Sequence, residues 1–384
     1  MLNQIVFFTV AVGIIQSILF ASHWVLYKTI IRFFAVDNQA FILYLKIILG
    51  IFSISFVSAS YLSFYYYNLP VKIFYNLAAG WLGFLYLFLI ASAIIWVFGR
   101  NIARYVPTEN GAVPRPYIII LFILAVTIGI YGLANANNVQ VTRLNLKLND
   151  LPDSWRSHAP DGTWRGKTAV WISDIHLGQV RGEGFSRQIV NKINNLNPDV
   201  VFVGGDLFDG VAADFDKLAE PFANLKPPLG TYYITGNHEE FDGKEKFLSA
   251  VRQNNMRILD NQMVDLAGVQ LIGVDYRDTS NLEQFKQILS DMQIDKNKPT
   301  ILLKHSPYYV EEAEKAGIDL QLSGHTHQGQ IFPIQYISRR IFYGYEFGLK
   351  KLGNLLEYTS SGAGTWGPPF RLGTQPEIVQ ITFR

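Results

Sequence analysis

Four apolar runs, at roughly 4–27, 40–64, 74–98 and 116–134, dominate the first third of the chain. Each is about 19–25 residues long, enough at ~1.5 Å per residue to cross a hydrocarbon layer of ~30 Å. Only Lys46 and His23 interrupt them as ionisable groups, and Lys46 sits close enough to one end of its run to snorkel. Tyr65, Tyr66, Tyr67, Trp96 and Tyr117 fall near the ends, where amphipathic rings prefer the interface. Residues 1–139 are therefore expected to form a transmembrane region of about four α-helices.

After Asn138 the pattern changes. Residues 141–148 alternate, with Leu144, Leu146 and Leu148 opposite Arg143, Asn145 and Lys147, which predicts a half-buried strand. From about 168, short Val/Ile-type runs alternate with helical stretches: 169–173, a helix at about 184–196, then 200–204, 231–235, 301–304 and 320–323. That is an α/β arrangement over 140–384, in which sites form at the carboxyl ends of the strands. Later alternating runs at about 355–361 and 376–383 are expected to close a second sheet.

Charge divides the chain in the same place. Residues 1–139 carry seven Lys/Arg against Asp37 and Glu109, whereas 140–384 hold 26 basic and 29 acidic residues. The second part has no clustered basic stripe, so no nucleic-acid partner is expected. Lys28 and Arg32 flank the first connection and Arg100, Arg104 and Arg115 the third, against Lys72 alone in the middle one. This bias is expected to put the first and third connections in the cytoplasm and the α/β part, 140–384, outside it, on a multi-pass protein of the cell membrane. With no cysteine, a metal site must use nitrogen and oxygen ligands.

Those ligands occur in five blocks: Asp174-Ile-His176, Gly205-Asp206-Leu-Phe-Asp209, Gly236-Asn237-His238-Glu239, His305, and Gly324-His325-Thr-His327. Five of the seven histidines lie in them. Each block begins where an apolar run stops, so Asp174, His176, Asp206, Asn237, His305, His325 and His327 converge from successive strand ends. Asp206 is placed to bridge two ions, and Asn237 adds a ligand without charge. Two cations about 3.5–4 Å apart clamp a phosphate and lower the pKa of a water, which attacks phosphorus as hydroxide. His238 would face the leaving group as general acid, with Asp209 holding its other ring nitrogen and Glu239 in support.

The five blocks resemble the calcineurin-like metallophosphoesterase superfamily over roughly 165–384. The closing stretch Ser361-Gly-Ala-Gly-Thr-Trp-Gly-Pro-Pro-Phe-Arg371 with Gln375-Pro-Glu-Ile is similar to its bacterial membrane-associated branch. The resemblance implies a four-layer α/β/β/α sandwich and a dinuclear centre of Mn, Zn, Fe or Co. One ion would take Asp174, His176, Asp206 and His327, the other Asp206, Asn237, His305 and His325. It also implies a phosphoric ester hydrolase acting on phosphodiesters or pyrophosphates of lipid-linked or envelope type. Protein phosphatases of the superfamily continue block two with Arg-Gly; here Gly210 and Val211 follow Asp209.

The phosphate-binding cation must then come from elsewhere, with Arg371 and Arg181 as candidates. The apolar and aromatic segment 331–345, carrying Arg339 and Arg340, is expected to rest against lipid headgroups beside the site. Two other classes fit parts of the pattern: a metal-binding sensory module without turnover, and a transporter-like protein with a regulatory phosphoesterase domain. The complete ligand set argues against the first, and the scarcity of charge within the spans against the second.

Overall fold

The computed structural model describes residues 2–105, 114–146, 164–240 and 243–384. Residues 147 and 148 of the expected first strand and 106–113 of the third connection lie outside the described residues. The chain divides into two compact units, Met1–Ala134 with Gly367–Phe370, and Asn135–Trp366 with Arg371–Arg384.

The first unit is helical, with α1 (Leu2–Phe33), α2 (Gln39–Tyr65), α3 (Leu69–Tyr105) and the bulk of α4 (Arg115–Asn135). Pro70 and Pro116 each occupy the second helical position, where a missing N–H breaks no bond. Asn38 and Asn68 start α2 and α3 by accepting from Phe41 N at 3.0 Å and Val71 N at 3.1 Å. All four helices are long and apolar enough to cross a membrane, and no more than 39% of any such window is buried, so their apolar surface faces outward. Two polar groups inside the bundle, His23 and Thr29, are paired across helices. His23 joins Leu19 O at 2.8 Å and Trp81 Nε1 at 2.9 Å, and Trp96 Nε1 donates to Thr29 Oγ1 at 2.9 Å.

The second unit contains two six-stranded sheets. The first runs β1 (Gln140–Leu146), β12 (Glu377–Phe383), β2 (Thr168–Ile172), β3 (Val200–Val203), β4 (Thr231–Tyr233), β5 (Met256–Ile258). The second runs β10 (Gly348–Leu352), β11 (Leu355–Thr359), β9 (Leu320–Ser323), β8 (Thr300–Leu303), β7 (Val269–Gly273), β6 (Gln262–Leu266). Strand alternation makes the layers. Trp171, Phe202, Ile301, Leu303, Leu322 and Ile381 meet in one core between the sheets. Val170, Ile172, Val201 and Val203 face the other way, onto α5 (Glu183–Asn194), α6 (Phe215–Ala219) and α7 (Lys244–Gln253). Ile272, Leu302 and Leu355 turn outward from the second sheet onto α9 (Leu282–Asp291) and α10 (Val310–Ala316), which follow the short α8 (Tyr276–Thr279). The result is an α/β/β/α sandwich.

The run at 376–383 departs from expectation. It lies in the first sheet, paired in parallel with β1 and antiparallel with β2. Alternation specifies which residues face a core, but both sheets line the same core, so Val379, Ile381 and Phe383 suit either one. The segment 331–345 contributes a helix, α11 (Ile334–Ile341).

Candidate metal centre

β2, β3 and β4 are parallel neighbours in the first sheet, and β8 and β9 in the second. Their carboxyl ends therefore open at common edges, and the five blocks follow them directly. The loops interlock: Asp174 N donates to Gly205 O at 3.0 Å, His176 N to Asp206 O at 3.0 Å, and Gly324 N to His305 O at 2.8 Å. Asp174, His176, Asp206, His305 and His327 are buried.

All seven expected ligands come together. Asp174, His176 and His327 offer ligand atoms within 4.8 Å of one another, as do Asp206, His305 and His325. His176 Nε2 lies 3.0 Å from His327 Nε2, and Asn237 Oδ1 lies 2.7 Å from His325 Nδ1 and 3.2 Å from His305 Nε2. Asp206 Oδ2 stands between the groups, 3.3 Å from His305 Nε2 and 3.8 Å from His176 Nε2. Ligands about 2.0–2.3 Å from one cation sit roughly 3–3.5 Å from each other. The spacings of 3.0, 3.2 and 3.3 Å fall in that range and the 3.8 Å between Asp206 and His176 lies above it; the N/O donor set would suit a divalent transition metal.

The surroundings orient these groups. His305 Nδ1 bonds Gly204 O at 2.7 Å, which leaves Nε2 facing the site. Glu239 accepts from Gly236 N, Asp206 N and Phe208 N at 2.8, 2.9 and 3.2 Å, clamping the loops after β3 and β4. Burial pushes His176 down to about 4 and His325 down to about 3, and it holds His327 well below the imidazole range. These rings are thus neutral, as ligation requires. Burial opposes charge on His305 too, but Asp206 and Asp174 push it up to about 9. Against burial, His305 and His238 hold Asp206 well below the usual carboxylate range.

His238 lies against the same cluster, its ring nitrogen within 4.8 Å of ligand atoms of His176 and Asp206. Its Nδ1 lies 3.1 Å from Asp209 Oδ1, and its ring centroid is 4.6 Å from that of His176. Burial alone would discharge it; Asp206 and the hydrogen bond His238 donates to Asp209 push it up to about 9.

The two arginine candidates occupy other roles. Arg371 is fully buried, and its guanidinium donates to His327 O at 2.9 Å and to Ser361 O and Gly364 O at 2.7 Å. Arg181 is buried, donating to Ala136 O at 2.6 Å and to Asn137 Oδ1, with Phe185 stacked 4.5 Å beneath it. Backbone carbonyls, and for Arg181 also the Asn137 side-chain oxygen, occupy both forks, so neither is presented to a phosphate. Arg339 and Arg340 lie exposed on α11.

Three contributors escape the motif reading. Tyr276 places its ring 5.6 Å from His305 and 5.8 Å from His325. Glu377, buried on β12, accepts from Tyr358 Oη at 3.1 Å, Ser360 Oγ at 3.0 Å and Ser361 N at 3.1 Å, and so fixes the loop that Arg371 spans. Asn135, the last residue of α4, donates to Arg371 O and Thr374 O at 3.0 Å. The polar Asn135–Asn138 step out of an apolar run and Glu377 within Gln375-Pro-Glu-Ile are visible in the sequence, but the sequence alone gives neither a role.

Residues 168–329 match the family model described as calcineurin-like phosphoesterase. An uncharacterized metallophosphoesterase of Aquifex aeolicus is 36% identical over 219 residues, 55% of this chain and 83% of the relative. One from Helicobacter pylori is 38% identical over 216 residues, 55% of this chain. A Bos taurus transmembrane protein with metallophosphoesterase domain is 30% identical over 309 residues, 75% of this chain and 66% of the relative. The chain spans 58% of the length of the Helicobacter and Campylobacter relatives it matches.

Proposed function

The chain belongs to the calcineurin-like phosphoesterase family, and from that membership we propose that it is a membrane-anchored hydrolase of phosphodiester or pyrophosphate bonds. The observation that carries this reading is Asp206 Oδ2, set between His176 on one side and His305 on the other within two converging ligand groups. Asp174, His176, Asp206 and His327 would hold one ion, and Asp206, Asn237, His305 and His325 the second. Two divalent ions there supply charge for the phosphate oxygens and make a water nucleophilic at neutral pH.

The chain's own groups do the remainder. Asn237 keeps the shell of the second ion less anionic, so a negative phosphate is not repelled by a third carboxylate ligand. His238 gives its proton to the departing oxygen as the P–O bond breaks, while Asp209 keeps the ring aligned and charged. The lipid-linked or envelope character of the substrate rests on the four apolar helices and on the exposed aromatic helix beside the centre.

The test uses the full chain loaded with Mn or Zn, assayed on a bis(aryl) phosphate and on an aryl monophosphate. Asp206→Asn is expected to lower metal content and turnover together. His238→Ala should retain metal and lose about 10²–10⁴-fold in rate, most for poor leaving groups. Release of metal by His238→Ala would overturn this division of roles.

A further inference from the structure

We infer that α11 and Trp366 form a surface that docks onto a lipid bilayer and holds the mouth of the metal centre at the membrane interface. This rests on the metallophosphoesterase reading and says how substrate reaches that site.

Among the described residues after 140, nine large apolar or aromatic side chains are exposed; six fall within 332–343 and a seventh is Trp366. A soluble surface scatters such residues singly, whereas a contiguous patch marks an interaction site. Ser338 in α11 and Phe342 just after it face the body of the domain, whereas Ile334, Ile337 and Ile341 form an outward stripe at helical spacing, 40–58% exposed. The helix is thus seated already, and its isoleucines are not core awaiting a neighbour from the same fold.

The patch borders the chemistry. Phe342 stands edge-on to His325 with centroids 5.8 Å apart, and Trp366 lies 6.4 Å from His238. Gln330 joins the two parts, donating to Trp366 O at 2.9 Å and accepting from Trp366 N at 3.0 Å.

Two observations select a bilayer as the occupant. Segment 331–345 contains Arg339 and Arg340 and no acid, a charge that complements anionic headgroups, and its tyrosines suit the same depth. The last apolar helix ends at Asn135 and β1 begins at Gln140, a reach of at most ~17 Å even when fully extended. A bilayer crossed by α4 would therefore be tethered close to β1 of this unit, an advantage a soluble partner lacks.

Because the chain has no cysteine, a single label reports one place. Ile337→Cys, and Ser290→Cys on exposed α9 as control, are labelled with an environment-sensitive fluorophore. The full chain is then reconstituted in phosphatidylethanolamine–phosphatidylglycerol vesicles. Position 337 should show blue-shifted emission and at least ~2-fold quenching by a shallow nitroxide lipid, and position 290 neither. Water-like emission at 337 overturns the inference. So does a shielded signal that ignores the nitroxide and grows with protein density, which would mean a second copy on the patch. The paired variant Ile334→Glu/Ile337→Glu should raise KM at least ~5-fold for a vesicle-embedded phosphodiester and leave a soluble bis(aryl) phosphate unchanged, and an equal effect on both contradicts docking. Should the wild type hydrolyse neither substrate, the phosphoesterase reading fails while the fluorescence still decides the docking.

Discussion

Asp174, His176, Asp206, His325 and His327 hold φ at 54°, 54°, 50°, 71° and 48°, a region that costs side-chain-bearing residues about 1–3 kcal/mol each. Such backbone persists only where neighbours fix it, as Gly364 N does by donating to Asp174 O at 2.7 Å. The ligand identities were legible as motifs because few residue types bind metal; the strained backbone that aims them was not, since it is imposed by loops from other strands. The glycines between them show the same dependence. A Cβ on Gly324 would overlap the Asp174 carboxylate and Ser173 Oγ. Gly324→Ala is expected to displace Asp174 and reduce metal affinity at least ~10-fold, on the scale of a disturbed ligand shell; titration calorimetry that finds wild-type affinity contradicts this. Glu357 offers a test away from the ions. It is fully buried on β11, and burial pushes its carboxyl up to about 8, from a usual value near 4.5. Between those limits the folded protein binds the extra proton, so stability falls as pH rises, by about 1.4 kcal/mol per unit if the whole difference is expressed. Glu357→Gln should raise Tm at pH 8 and leave it nearly unchanged at pH 4.5; an equal gain at both values would assign the effect to packing.

At the scale of elements, the centre is built by strand tips and then locked by one loop. The Val/Ile runs announced β2, β3, β8 and β9, and the polar blocks that follow each run marked their carboxyl ends. The place of β12 was not legible, because pairing with β1 and β2 joins residues more than 200 positions apart and leaves no local trace. Arg371 stood out as a charge in a glycine-rich stretch, but its partners are backbone carbonyls whose positions only the folded loop defines. That loop is tied at three places: Glu377 holds Ser360 and Ser361, Arg371 crosses to His327 O, and Asn135 caps Arg371 O from the end of α4. Arg371→Lys keeps the charge and loses the planar fork. It should loosen His327 and selectively empty the ion site that includes it, so that bound metal falls from about two per chain toward one, as two-ion centres of this kind would lose them singly. Elemental analysis checks the stoichiometry, and two tightly held ions in the variant would show that the fork serves stability alone.

For the molecule as a whole, the question left by an apolar helical unit joined to a metallophosphoesterase domain is the side of the membrane that the proposed hydrolase faces. Lys28 and Arg32 lie in the closing part of α1, where Lys28 sits 4.8 Å over Trp24 and Arg32 4.6 Å over Trp96. These contacts suit an interfacial position, with cations resting on the rings that prefer the same depth. Basic residues flanking a span favour the cytoplasmic face, and the three spans that follow the first connection would carry the chain to the opposite side. The reading therefore has Asp37, in the turn between α1 and α2, inside and Ser290 on α9 outside. Single cysteines at these exposed positions, challenged with a membrane-impermeant maleimide, distinguish the arrangements. Ser290→Cys should label in intact cells and Asp37→Cys only after permeabilisation. The opposite pattern would place the metal centre in the cytoplasm and direct the search for substrates to phosphoesters of the inner leaflet. Labelling of both in intact cells would mean that the four apolar helices do not cross as four spans, which removes the anchor as well as the side.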